Sequence, residues 1–236
     1  MKKHVTLFSS VLMMSTTLLG AGGVFADTSQ PSTGNPKSAE TTVTANLTIN
    51  QTPEKPTPPT EPEGGTDQPT QIDGLFGIAY APGTLAGRGQ LEDNGETTIN
   101  LSNNGNNPQN KHNIGVQDKT RGKDRNWTLS AKLEWINDDQ DYLAGSKITA
   151  TGGNVQLNNG EGTLVPVTRQ EVTTDAVSLE ISNVSKPVMV AHAGKTVNGV
   201  YNYQFKDPKL VIQNSQKVAE GNYEGQIVWD LSDVLA

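Results

Sequence analysis

Short runs in which apolar and polar residues alternate cover most of the chain beyond residue 40. Val43, Ala45, Leu47 and Ile49 alternate with Thr42, Thr44, Asn46 and Thr48, the period of a strand with one buried face. The same period recurs at Ile99 and Leu101, at Val155 and Leu157, at Val177, Leu179 and Ile181, at Val188 and Val190, and at Tyr201, Tyr203 and Phe205. Turn signals separate these runs: Asn103-Asn104-Gly105, Gly152-Gly153, Asn158-Asn159-Gly160, Gly194, Asn198-Gly199 and Asp207-Pro208. No window carries a convincing 3.6-residue stripe. The pattern predicts an all-β fold, an antiparallel β-sandwich or barrel-like single domain.

Two runs stand out. From Trp127 to Trp135 every odd position is apolar and every even one polar, so Trp127, Leu129, Ala131, Leu133 and Trp135 share one face of a strand. In the final run Tyr223, Ile227, Trp229 and Leu231 do the same. Each Trp-x-Leu tripeptide sets an indole and an isobutyl group about 6.8 Å apart on one side of a sheet, twice the rise per residue. Such a face either packs into the core, where an aromatic side chain buries a large area, or meets a ligand. Spacing alone favours the core without excluding the ligand.

Composition refines the organisation. Pro53, Pro56, Pro58, Pro59, Pro62 and Pro69, with acidic residues between them, make residues 51–71 a stiff, extended insertion after the first predicted strand. That strand cannot stand alone, because its backbone groups need partners; it is expected to pair with a later strand of the same chain or with another chain. Residues 27–40 have no apolar period and read as a disordered arm, leaving 41–236 as one β domain.

At the start, Met1-Lys2-Lys3-His4, an apolar run from Val5 to Leu19 and small residues ending at Ala26 have the layout of a secretory signal occupying residues 1–26. Its apolar run is shorter than the roughly 20 residues of a spanning helix, so cleavage before Asp27 and no membrane insertion afterwards are expected. The chain has no Cys, so an exported form draws its stability from burial and backbone pairing rather than disulfides. Without residues 1–26 it carries 16 basic and 25 acidic residues. Such an acidic chain is poorly suited to nucleic acid, and it approaches anionic polymers only through short-range contacts.

Catalytic chemistry is not legible. His112 and His192 lack an adjacent acid or Ser-bearing motif, and exposed loop or strand positions explain them better. Asp138, Asp139 and Asp141 crowd one turn without the spacing of a calcium loop and read as a solvated turn. No cofactor and no metal is expected. Lys119, Arg121, Lys123 and Arg125 form a basic strip before Trp127, interleaved with Asp118 and Asp124. They are candidates for polar contacts, although a solvated loop is the simpler reading. Three glycosylation sequons occur, at Asn46, Asn126 and Asn183.

The blocks Val116–Leu133 and Ala219–Asp233 resemble the proximal and distal motifs of the WxL-domain family of surface proteins from low-GC Gram-positive bacteria. Two Trp-x-Leu motifs, 102 residues apart with the second near the end of an exported chain, make the likeness specific, and it covers roughly residues 39–236. The resemblance implies a non-catalytic protein, secreted to the bacterial cell surface and attached non-covalently to peptidoglycan through its C-terminal domain. It also implies association with other WxL proteins or with a membrane-tethered WxL-interacting protein. Trp127, Leu129, Trp229 and Leu231 are then the candidate wall- or partner-binding residues. The alternative is a structural or adhesive subunit whose ligand is a partner protein rather than the wall.

Overall fold

A computed structural model describes residues 38–235 apart from 104, 106 and 123; the expected signal, most of the arm, Asn104 of one turn and Lys123 lie outside the described residues. The chain divides into two compact units, Met1–Asn46 and Leu47–Ala236. In the first, Ser38–Asn46 carries no regular secondary structure and its side chains are exposed. The second holds every strand found among the described residues.

The expectation of a first strand at Val43–Ile49 is corrected. Among the described residues this stretch pairs with no strand, and Val43 and Leu47 are 87% and 88% exposed. Alternation records which side chains suit a half-buried surface, but a strand exists only where a neighbouring edge supplies hydrogen bonds. Among the described residues the Pro-rich stretch therefore comes after no strand; the first one, β1 (Gln68–Pro69), lies at its far end.

The remaining strands are antiparallel throughout. β2 (Phe76–Ala81), β3 (Thr97–Asn100), β4 (Lys111–Asp118), β6 (Lys147–Asn158), β7 (Leu164–Pro166), β9 (Leu179–Ile181) and β11 (Gly199–Ile212) join β1 in an eight-stranded sheet with the central order β1-β2-β4-β11-β6-β7. β11, 14 residues long, pairs first with β4 and then, from Lys209, with β3. β6 likewise has β9 at one end and β7 at the other. A four-stranded sheet, in the order β12-β5-β10-β8, comprises β5 (Arg125–Trp135), β8 (Val172–Thr173), β10 (Lys186–Ala191) and β12 (Gly225–Leu235). The Leu133 N–H donates to the Ser182 carbonyl, tying β5 to the end of β9 and so one sheet to the other.

The core lies between the sheets. Tyr201, Tyr203 and Phe205 of β11 with Ile114 and Val116 of β4 face Trp127, Leu129, Ala131 and Leu133 of β5. Alternation on β5 is as the sequence predicts, each buried residue flanked by half-buried or exposed ones.

The other face of the large sheet is also covered. Asn158, Asn202, Asn113 and Gln204 project from β6, β11 and β4 under the Pro-rich segment. Asn158 Nδ2 donates to the Thr57 carbonyl at 2.9 Å, and Asn113 Nδ2 and Gln204 Nε2 donate to the Glu63 carbonyl at 2.7 and 3.0 Å. Tyr80 lies flat against Gly115 and gives its O–H to Asn202 Oδ1. An extended Pro-rich chain has carbonyls but few N–H groups, and this ladder of amides supplies the donors that a neighbouring strand would otherwise provide. β4 is consequently buried on both faces, which explains why it lacks the alternation that marks β5.

Candidate functional site

The two Trp-x-Leu tripeptides lie on adjacent strands. β5 and β12 pair without a break over eleven positions, with Leu129 opposite Leu231, Trp229 opposite Ala131, and Trp127 opposite Asp233. Residues directly opposite in an antiparallel pair share a face. Both motifs therefore face the core, centred on the Leu129–Leu231 pair, with the two indoles at opposite ends.

Their environments differ sharply. Trp127 is fully buried and lies 6.4 and 6.2 Å, centroid to centroid, from Phe76 and Tyr201. Its indole N–H donates to Asp118 Oδ2 at 3.0 Å. The other oxygen of Asp118 accepts from the N–H and hydroxyl of Thr120 at 3.1 and 2.6 Å. Leu129 is equally buried. Trp127 and Leu129 thus have no surface to offer a ligand, and the candidate contact narrows to the second tripeptide.

Trp229 and Leu231 are half-buried, with Ile227 beside them, because β12 is the end strand of its sheet. The Trp229 ring packs on Phe205 at 6.4 Å. The indole N–H groups of Trp127 and Trp135 donate to Asp118 and Ser146; among the described residues no such bond holds that of Trp229.

The described members of the basic strip, Lys119, Arg121 and Arg125, have separate environments. Arg125 turns inward: its guanidinium pairs with Asp233 of β12, lies 3.5 Å from Asp118, and sits 4.2 Å above the Phe76 ring. It is a clamp across the ends of β4, β5 and β12. Lys119 is half-buried, its backbone N–H bonded to the Leu75 carbonyl, whereas Arg121 is exposed in a left-handed turn with φ of 57°.

One other expectation changes. His112 is not exposed: it is fully buried against Phe205, its Nε2 3.0 Å from Asn110 Oδ1, and burial lowers its pKa to about 4. His192 is exposed and meets the Thr173 hydroxyl at 2.7 Å. In the acidic turn, Asp138 accepts the N–H groups of Tyr142 and Leu143 at 2.8 and 2.7 Å, so that carboxylate closes its own turn.

The residue that spacing did not reveal is Asp67. It belongs to the Pro-rich segment, is 7% exposed, and accepts both the backbone N–H and the side-chain amide of Asn113 on β4. Burial pushes its pKa up to about 7 against the opposing effect of those two bonds. A lone Asp in a Pro- and acid-rich stretch gives no sign of this.

Fold and motif geometry define a β-sandwich whose paired Trp strands form one wall of its core and leave one edge open. The chain belongs to the WxL family: the family model, described as a surface cell wall-binding WxL domain, matches residues 34–234. No curated protein and no solved structure matches the chain. Membership makes it a wall-binding domain of the cell surface. Among the described residues no helix is long and apolar enough to cross a membrane.

Proposed function

We propose that this is a non-catalytic surface protein, exported through its N-terminal signal and held non-covalently to peptidoglycan by the domain that fills residues 47–235. The observation that carries the reading is the asymmetry of the two tripeptides. The first is sealed in the core, while the second leaves Trp229 and Leu231 partly open, with an indole N–H free of any protein acceptor among the described residues. An aromatic with an apolar body and an unspent donor suits a sugar or peptide surface. Lys119 and Arg121 remain candidate polar contacts, at the Trp127 end of the strand pair rather than beside Trp229; Arg125 serves the fold.

With an acidic chain, attachment rests on short-range contacts and survives moderate salt. Co-sedimentation of the purified protein with isolated sacculi tests this. Retention in the pellet at moderate salt, reduced by Trp229→Ala without loss of the folded circular dichroism signal, supports the reading. A protein that stays wholly in the supernatant refutes direct wall attachment and leaves a membrane-tethered WxL-interacting protein, or another WxL protein, as the anchor.

A further inference from the structure

Of the sheet ends, three are blunted. β1, β7 and β8 are two or three residues long, and β1 and β7 contain Pro69 and Pro166. Short edges and proline are the usual protection against pairing with another chain. β12 is different. It is eleven residues long, pairs with β5 in unbroken register, contains no Pro, Lys or Arg, and has no strand on its outer side among the described residues. Every second residue of such an edge directs its N–H and C=O outward, about five residues' worth of unused hydrogen bonding. Along its inner face Ile227, Trp229 and Leu231 are only half-buried.

The same chain carries a segment of strand pattern without a strand partner among the described residues. When the stretch is extended, Val43, Ala45, Leu47 and Ile49 share one side and threonines occupy most of the other, and all but Ile49 are exposed. From Thr41 to Asn50 there is no charged residue, so nothing in it repels the acidic β12, which carries Asp230 and Asp233. Further along, the chain is fastened at Thr57, bonded to Asn158 and Gly160 on the outer face of the large sheet, across the core from β12. About 27 Å of fully extended chain separates Ile49 from Thr57.

We propose that the open edge of β12 accepts the Thr41–Asn50 segment of a second copy of this chain. Strand addition of this kind draws affinity from the backbone and specificity from alternate side chains. Here the threonine face turns outward and Val43, Ala45, Leu47 and Ile49 extend the apolar face begun by Ile227, Trp229 and Leu231. Each copy has one donor and one acceptor, so association either closes as a reciprocal pair or continues as a line. Self-association of this kind needs no wall and stands apart from the wall-binding reading.

Sedimentation velocity of the purified full chain over a concentration series is the test. The expected result is reversible, concentration-dependent association that Ala45→Pro with Leu47→Asp weakens at least tenfold. Because that segment is exposed in the single copy, melting of the doubly substituted chain stays unchanged. The absence of Cys makes cross-linking clean: mixing chains carrying Asn46→Cys with chains carrying Val228→Cys or Asp230→Cys yields mixed disulfide dimers, whereas Val165→Cys on β7 yields none. A protein monomeric at the highest concentration reached, association indifferent to the double substitution, or a disulfide formed within a single chain carrying both cysteines would each overturn the proposal.

Discussion

The indole N–H of Trp127 ends on a carboxylate oxygen of Asp118, 3.0 Å away and with both side chains fully buried. The bond joins β5 to β4, and so one sheet to the other, at the end of the core where Arg125 lies between Asp118 and Asp233. An anion in this position is tolerable only while its donors remain, since an uncompensated buried charge costs far more than a lost neutral bond.

Trp127→Ala removes both the packing and the donor, and is expected to destabilise the domain by about 3–5 kcal/mol. Trp127→Phe keeps an aromatic ring but strips one hydrogen bond from Asp118, with an expected loss of about 1–3 kcal/mol. Urea denaturation followed by near-ultraviolet circular dichroism measures both. If Trp127→Phe is as stable as the parent, the Asp118 bond has no structural weight.

Trp229→Ala is expected to separate folding from binding where Trp127→Ala does not. The half-buried ring touches Phe205 but holds no polar partner among the described residues, so its removal costs less than the roughly 3–5 kcal/mol of a core Trp and leaves a folded protein. Parallel melting and sacculus pull-down curves for the two variants check this. Equal destabilisation would mean that both tripeptides are merely core.

Gly115 has no room for a side chain: a Cβ there would lie 2.3 Å from Cζ of Tyr80. Gly115→Ala must tilt that ring, and with it the hydroxyl that Asn202 and Asn158 share. Overpacking of this kind costs about 1–3 kcal/mol. Amide exchange should accelerate in the Pro-rich segment before the four-stranded sheet is affected; uniform acceleration would show that the segment is not separately held.

Asp67 and His112 oppose each other in pH dependence. The carboxyl of Asp67, ordinarily near 3.8, titrates near 7 in the fold, so its contribution is fully present below about pH 4 and is lost as pH rises towards 7. His112, ordinarily near 6.5, titrates near 4 when folded; its contribution is present above about pH 6.5 and is lost as pH falls towards 4. Each changes stability by at most about 1.4 kcal/mol per pH unit, with opposite sign between about pH 4 and 6.5. Asp67→Asn should therefore make stability rise more steeply with pH across that window, and His112→Phe should make it rise less steeply or fall. Denaturation midpoints at several pH values distinguish these slopes, and identical profiles would refute the assignment.

β5, with one covered face, was legible in the sequence, and β4, with two, was not. β5 alternates because its outer face meets water, whereas β4 reads Lys-His-Asn-Ile-Gly-Val-Gln-Asp and shows no period, its outer face having been given to the amide ladder. Val188 and Val190 illustrate a second limit. A register shift between Pro187 and Met189 reverses the phase of β10, so Val188, Met189 and Ala191 are buried while Val190 is not. Val177 belongs to its apparent run but lies outside β9 and is 64% exposed. Of the candidate site, each tripeptide and the side of its own strand on which it lies were readable from spacing; that the two strands are neighbours was not. Which indole is sealed depends on which strand ends the sheet, and that is a matter of strand order, which local pattern does not encode.

The amide ladder grips the Pro-rich segment chiefly by carbonyl oxygens, those of Thr57 and Glu63, which every amino acid possesses. Most letters of that stretch can therefore drift while its path is kept, and the four amides beneath it cannot. In related chains the invariant trace of this strap should be found on β4, β6 and β11, at positions matching Asn113, Asn158, Asn202 and Gln204, rather than in the strap itself.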